Sequence, residues 1–356
     1  MPCNEDEMVR DSMRGFRSRR IESQWDRLDA PDAARHDALW EELRELGVTL
    51  LGLPPIEGGG EIDARSQFDV LCELGAGSPA LAFSLVSHLT ALRLLSEASH
   101  GALPAPVADR AAHSRFALAG SVLDRRPDTP FVLRSNGAVS VVGRARVGLA
   151  RPDFLVVPAI EGKALRLVVL RGDEDGVRFA GTRSSHGLCL VPFGDLTIDC
   201  HTVSWDCVLP WPSSGRAVRM ADGLVTAILC GMARELAERA MGYALQRRQG
   251  GKPIHEHDAV RDLTGPIELA RRTLETLSIA VLSGECPGDG GASAFGVDLV
   301  RQSGLDAVQT FGGYGYMEDY RVERYLRDAN TLETCCIHAS ARRRDIACAR
   351  FAQMAG

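Results

Sequence analysis

The spacing of hydrophobic residues changes twice along the chain, from helical to alternating and back to helical. Between about 30 and 112, apolar residues recur at steps of three and four. In ALWEELRELGVTLLGLP, Leu39, Trp40, Leu43 and Leu46 fall on one face of a helix, since a turn takes 3.6 residues. The following run, SQFDVLCELGAGSPALAFSLVSHLTALRLLSEA, predicts two helices with Gly75 and Gly77 marking the break between them.

From about 115 to 212 the chain turns to short β-rich runs: FALAGSVL, PFVLRS, AVSVVGRARV, DFLVVPAI, ALRLVVLRG and GLCLVPFGDLTID. Asn136-Gly137 is a hairpin signal, and Gly172 and Gly181 punctuate the rest. Short strands at such close spacing predict a compact barrel or sandwich. From about 216 the helical period returns, with Leu224, Ile228, Met232, Leu236, Ala240 and Tyr243 along one apolar face. Gly265-Pro266 is expected to interrupt or restart the next helix, because proline lacks a donor and crowds the preceding turn. ECPGDGGASAF (285–295) reads as a loop. The pattern is α+β: a helical domain over 1–113, a small β domain over 114–212 and a helical domain over 213–356.

Composition narrows the possible partners. The 356 residues are 45% hydrophobic and 25% charged with a formal net charge of −6, which argues against nucleic acid or an anionic membrane as main partner. No apolar run approaches the roughly 18–20 residues that span a bilayer. The first residues, MPCNEDEMVRDSMRGFRSRR, lack the apolar core of a secretory signal, so a soluble, cytoplasmic protein is expected. The ten cysteines include no CxxC pair; most are expected to be small buried residues in a reducing compartment. Cys335, Cys336 and His338 stand close together in TCCIHA. That cluster admits a metal site, a thiol nucleophile with its base, or a crowded helix end. For zinc it lacks a fourth ligand, and no metal is expected.

One stretch is more specific. AVQTFGGYGYMEDYRVERYLRDA (307–329) resembles the C-terminal signature of acyl-CoA dehydrogenases, through Gln309, Gly312-Gly313, Gly315, Glu318, Arg324 and Arg327-Asp328-Ala329. LRELGVTLLGLPPIEGG, GTRSS (181–185) and YALQRRQGGKPIHEHDAV (243–260) resemble further elements of that family, in its order. The resemblance implies a fold with an N-terminal helical domain, a small β-barrel or sandwich and a C-terminal four-helix bundle. It also implies FAD as cofactor, an acyl-CoA or acyl-carrier thioester as substrate, and a tetramer built as a dimer of dimers. By the same resemblance Arg247, Gln309, Gly312 and Gly313 contact FAD across a subunit interface. An arginine fork suits a pyrophosphate, and glycines let backbone N–H groups come close to one.

Other family features are missing. Gly120-Ser121 is all that remains of an EPxxGS-type segment, and Val147, Gly148 and Leu149 stand where Trp-Ile-Thr would lie. Gly250 replaces the phenylalanine after the FAD-contacting arginine, and Asp258 a glutamine. Removing a proton alpha to a thioester needs a base, and the family's usual glutamate position, seven residues past RDA, holds Cys336. The alternative position on the preceding long helix is Ala221, with Asp222 one residue along and turned by about 100°. With these losses the chain resembles the auxiliary subunit of a heteromeric acyl-CoA dehydrogenase, and the resemblance implies that it completes an FAD site held by its partner. The rival readings are an autonomous flavoenzyme of the same fold, with a relocated base or monooxygenase chemistry, and a non-catalytic homologue.

Overall fold

The computed structural model describes residues 5–355 apart from 52, 61, 101, 102, 109, 122, 124–128, 137, 149–151 and 201. The fold is α+β, with helical layers at both ends of the chain and a sheet between them. α1 (Glu5–Phe16) runs through a π-turn (Arg17–Ile21) into a 3-10 segment (Glu22–Arg27). Met13, Phe16, Ile21, Trp25 and Leu28 are all buried there. Their irregular steps of three to five follow a helix that changes pitch, which a search for a 3.6 period misses.

α2 (Ala33–Glu45) and α3 (Ala64–Gly77) start at aspartate caps: Asp32 accepts from the Arg35 N–H at 3.0 Å and Asp63 from the Ser66 N–H at 2.7 Å. The break before α4 (Pro79–Ala98) falls at Ser78, whose hydroxyl caps it. Gly75 lies inside α3 instead, where a Cβ would sit 2.5 Å from the Ile228 carbonyl oxygen. Glycine there lets two helix backbones touch. α4 is long and apolar enough to cross a membrane, which the sequence reading did not anticipate, but it is almost wholly buried inside the protein. α5 (Ala105–Ala108) is a single turn.

The sheet consists of β1 (Phe116–Leu118), β2 (Val132–Asn136), β3 (Ala138–Val147), β4 (Phe154–Glu161), β5 (Ala164–Arg171), β6 (Val177–Arg183), β7 (Phe193–Cys200) and β8 (Val208–Pro210). Its order is β6-β7-β3-β2-β4-β5-β8, with β1 added parallel to β4. β2 and β3 pair as a hairpin with Asn136 opposite Ala138; Gly137 itself lies outside the described residues. Gly181 does not end a strand but makes a bulge within β6, at φ +58°. One sheet face builds its own core around Phe131, Val141, Leu155, Val157, Leu196 and Ile198.

The C-terminal bundle is α6 (Arg216–Gln246), α7 (Asp258–Ser283), α8 (Gly291–Phe311) and α9 (Val322–Leu332), followed by α10 (Ala339–Ala355). α7 runs unbroken through Gly265-Pro266, against expectation. One lost N–H is a small deficit for a long helix packed on α6 and α8. The expected loop at 285–295 ends at Gly290, and α8 begins at Gly291.

Candidate functional site

α6 and α8 end side by side at one edge of the bundle. Tyr243 near the end of α6 stacks on Phe311 at the end of α8 with centroids 4.3 Å apart, and Tyr320 closes on both edge-on. These rings fix the two helix ends relative to one another. Past α6, Arg247 leaves the helix and its carbonyl oxygen accepts from the Ile254 N–H at 2.8 Å. The hairpin between them turns on Gly250 and Gly251, both at positive φ, so the phenylalanine replacement serves a tight turn. Past α8, the Gly312 N–H donates to the Gln309 carbonyl oxygen, with φ +60° at Gly312.

Arg247, Gln309, Gly312 and Gly313 are thus brought together, and all four are exposed. The Arg247 guanidinium lies 6.0 Å over the Tyr314 ring, and among the described residues it has no ion pair. The glycines have different reasons to be glycine. Gly315 is crowded, its Cβ position 2.5 Å from the Val308 carbonyl oxygen. Gly312 needs its positive φ. Gly313 has neither a positive φ nor a neighbour within 4 Å of an added Cβ. Among the described residues nothing requires glycine there.

Cys336 and Asp222 lie inside, while His338 is exposed. α9 ends in a π-turn (Glu333–Ile337) closed by His338 at φ +50°, whose Nε2 faces the Thr334 carbonyl oxygen at 2.8 Å. Cys336 is 1% exposed, and its carbonyl oxygen accepts from the Ser121 hydroxyl at 2.8 Å. The half-buried Cys335 thiol is pushed up to about 12 by burial, which leaves it protonated and a poor nucleophile near neutral pH. Asp222 is fully buried and already engaged. Its carboxylate accepts from the Gly290 N–H at 3.0 Å, the Ser293 N–H at 2.9 Å and the Ser293 hydroxyl at 2.6 Å, at the start of α8. Burial raises its pKa while those three donors oppose the shift. It holds a helix start rather than facing a cavity.

A cavity of about 460 Å³ lies beside the π-turn, lined by Ser184, Ser185, His186, Phe193, Asn330, Thr331, Thr334 and Cys335. Both remnant segments from the β domain reach its surroundings. Ser121 bonds the π-turn, and the Cβ position of Gly148 lies 3.3 Å from the Phe193 ring and 2.6 Å from Phe83. Phe83 and Phe193 in turn stack with centroids 6.2 Å apart. The cavity therefore has an aromatic wall, Phe193, which the sequence reading missed because it looked for an aromatic residue on β3. Its lining has hydroxyl donors and, among the described residues, no carboxylate. A second cavity, about 830 Å³, lies across the 184–186 loop, with Asp29, Cys189, Tyr316 and Arg327 in its wall.

Similarity to known proteins agrees with this layout. Models of the acyl-CoA dehydrogenase N-terminal and C-terminal domains match residues 4–100 and 220–335, together more than half of the chain. YngJ, a probable acyl-CoA dehydrogenase of Bacillus subtilis (strain 168), is 25% identical over 92% of this chain and 93% of its own length. A second acyl-CoA dehydrogenase of that strain is 36% identical over 115 residues, 31% of this chain and 30% of that protein. Among solved structures, PigA with FAD and proline superposes with a TM-score of 0.81 at 17% identity, over 100% of this chain and 99% of that one. The prolyl acyl carrier protein oxidase AnaB gives 0.81 at 19%, over 98% and 99%.

Proposed function

The chain belongs to the acyl-CoA dehydrogenase family, and we propose that within it this is the base-lacking subunit of a heteromeric, FAD-dependent acyl-thioester dehydrogenase. The observation that carries the reading is the exposed quartet Arg247, Gln309, Gly312 and Gly313, in which, among the described residues, the Arg247 side chain has no ion pair and Gly313 has no neighbour that requires a glycine. Facing a homologous subunit, Arg247 would hold a pyrophosphate as a charged fork, Gln309 would hydrogen-bond and the glycine turn would bring its backbone close. The bareness of Gly313 fits the near approach of such a group. FAD, when bound, supplies the hydride acceptor. This chain's part is to bind and orient; the α-proton falls to a carboxylate of the other subunit, since Cys336 stands at the base position and Asp222 is occupied. The chain's own cavity beside Cys335 would take a flavin ring weakly without a partner to hold the rest of the molecule.

The test is co-expression with a homologous subunit that carries the glutamate. The single chain should purify colourless and inert, and the pair should show the flavin absorbance and oxidise an acyl thioester. A single chain that is yellow and turns over overturns the proposal. AnaB, by its name, acts on a thioester of a carrier protein, so CoA and carrier-bound acyl groups both belong in the assay. The Phe193-walled cavity is the observation that favours the second reading, an autonomous flavoenzyme, and the same experiment separates the two.

A further inference from the structure

The loop 184–188 is the common wall of the two cavities, since Ser184, Ser185 and His186 line both. Four contacts from α9 fix it. The Gly187 N–H donates to the Thr331 hydroxyl at 3.0 Å, and the Leu188 N–H to the Asp328 carboxylate at 2.5 Å. The Arg327 guanidinium donates to the His186 carbonyl oxygen at 3.0 Å. Gly187 lies so close to α9 that a Cβ would be 2.3 Å from the Arg327 carbonyl oxygen. Leu188 meanwhile sits at φ +52°, a conformation leucine adopts only when its surroundings impose it. Neither Gly187 nor Asp328 lines either cavity. Asp328 is 1% exposed and is held in turn by Arg324, with 3.7 Å between Nε and Oδ2.

We infer that Asp328 and Gly187 are positioning residues, through which the RDA segment of α9 sets the 184–188 loop as a rigid partition and so presets the cavity beside Cys335 for a flavin ring. This rests on the FAD reading above for the identity of the ligand, but not for the placement of the loop. Loose, the loop would let Ser184 and Ser185 leave the cavity wall and would uncover Cys189, which is 7% exposed and lies just past it.

Two readouts on the single chain test it: alkylation of Cys189 by iodoacetamide, read by peptide mapping, and quenching of FAD fluorescence on titration. Gly187→Ala pushes the loop off α9 without removing a charge. It should speed Cys189 alkylation about tenfold and weaken FAD binding about tenfold, about 1.4 kcal/mol. Asp328→Asn keeps the acceptor for Leu188 and should stay close to the parent in both, whereas Asp328→Ala should follow Gly187→Ala. An unchanged alkylation rate in Gly187→Ala overturns the inference, and so does faster alkylation with unaltered FAD affinity. If the parent chain binds no FAD at any concentration, the flavin reading of this cavity falls, and alkylation alone still decides whether α9 holds the loop.

Discussion

At the outer edge of the bundle, Arg247, Gln309, Gly312 and Gly313 stand exposed, and among the described residues Arg247 has no ion pair and Gly313 no neighbour that requires a glycine. At the inner corner, Cys336 and Asp222 are buried, and Asp222 is bonded on both oxygens. The two regions were marked by the same resemblance, yet they carry opposite physical signatures. A polar group with all its bonds inside the fold serves stability. A cation and a bare glycine with none call for a surface outside the chain. Under the proposed function the inner corner serves structure and the outer edge assembly, and that division can be attacked from either side.

The largest effect belongs to Asp222. Asp222→Ala strands the Gly290 and Ser293 donors in the interior and unties the start of α8. Leaving buried donors without a charged acceptor should remove about 3–5 kcal/mol, measured by urea unfolding. Asp222→Asn, which keeps one acceptor, should lose less. A variant with parental stability would return Asp222 to the list of catalytic candidates.

Acid should act on the interior and spare the edge. His88 is fully buried between α4 and the sheet. Its Nδ1 accepts from the Phe116 N–H at 3.0 Å and its Nε2 faces the Thr49 carbonyl oxygen at 3.0 Å, an arrangement for neutral imidazole. Burial lowers its pKa to about 4. The unfolded chain takes up that proton near pH 6.5 and the folded chain only near 4. Stability is therefore whole above 6.5 and declines as pH falls towards 4, by about 3 kcal/mol from this residue. Melting temperature followed from pH 7 to 4.5 should show the decline, and His88→Gln should flatten it. Arg247→Ala should leave the curve in place.

How much of this was legible in the sequence follows from where the information sits. Period alone marked α6, because Leu224, Ile228, Met232 and Leu236 repeat on one face of a helix that is buried along most of its length. Period failed at Met13–Leu28, where the helix changes pitch, and at Pro266, where packing overrides a local breaker. Gln309, Gly312 and Gly313 could be singled out because they follow one another in a dense motif, and Arg247 because it lies in a second stretch of family-like order. The cavity was not, since Phe193, Thr331 and Ser184 meet only through folding and none belongs to a short pattern. Asp222 was ambiguous for a related reason: its position on α6 is readable, but the backbone it bonds lies 68 residues away at Gly290.

Arg247→Ala turns to the edge itself. Its side chain is exposed and without an ion pair among the described residues, so unfolding should change by no more than about 0.5 kcal/mol. In the heteromeric complex the same change removes a charged hydrogen bond and should cost about 1.5–3 kcal/mol of FAD affinity. Equilibrium dialysis of FAD against the complex measures it. Loss of stability without loss of FAD would reverse the assignment of the two regions.

Gly313→Ala is the smallest and sharpest case. Among the described residues nothing lies within 4 Å of the added methyl, and the backbone there is not left-handed. The single chain should therefore be as stable as the parent or more stable by a few tenths of a kcal/mol, since alanine narrows the unfolded ensemble. In the complex, that methyl would stand between the turn and whatever approaches it, and FAD should bind several-fold more weakly. Urea unfolding of the single chain and FAD titration of the pair have to be read together. A methyl that neither the fold nor the complex notices would mean that nothing comes within van der Waals reach of Gly313, and the outer edge would lose its claim to a ligand. A methyl that only the complex notices places the ligand or the partner subunit directly over the turn.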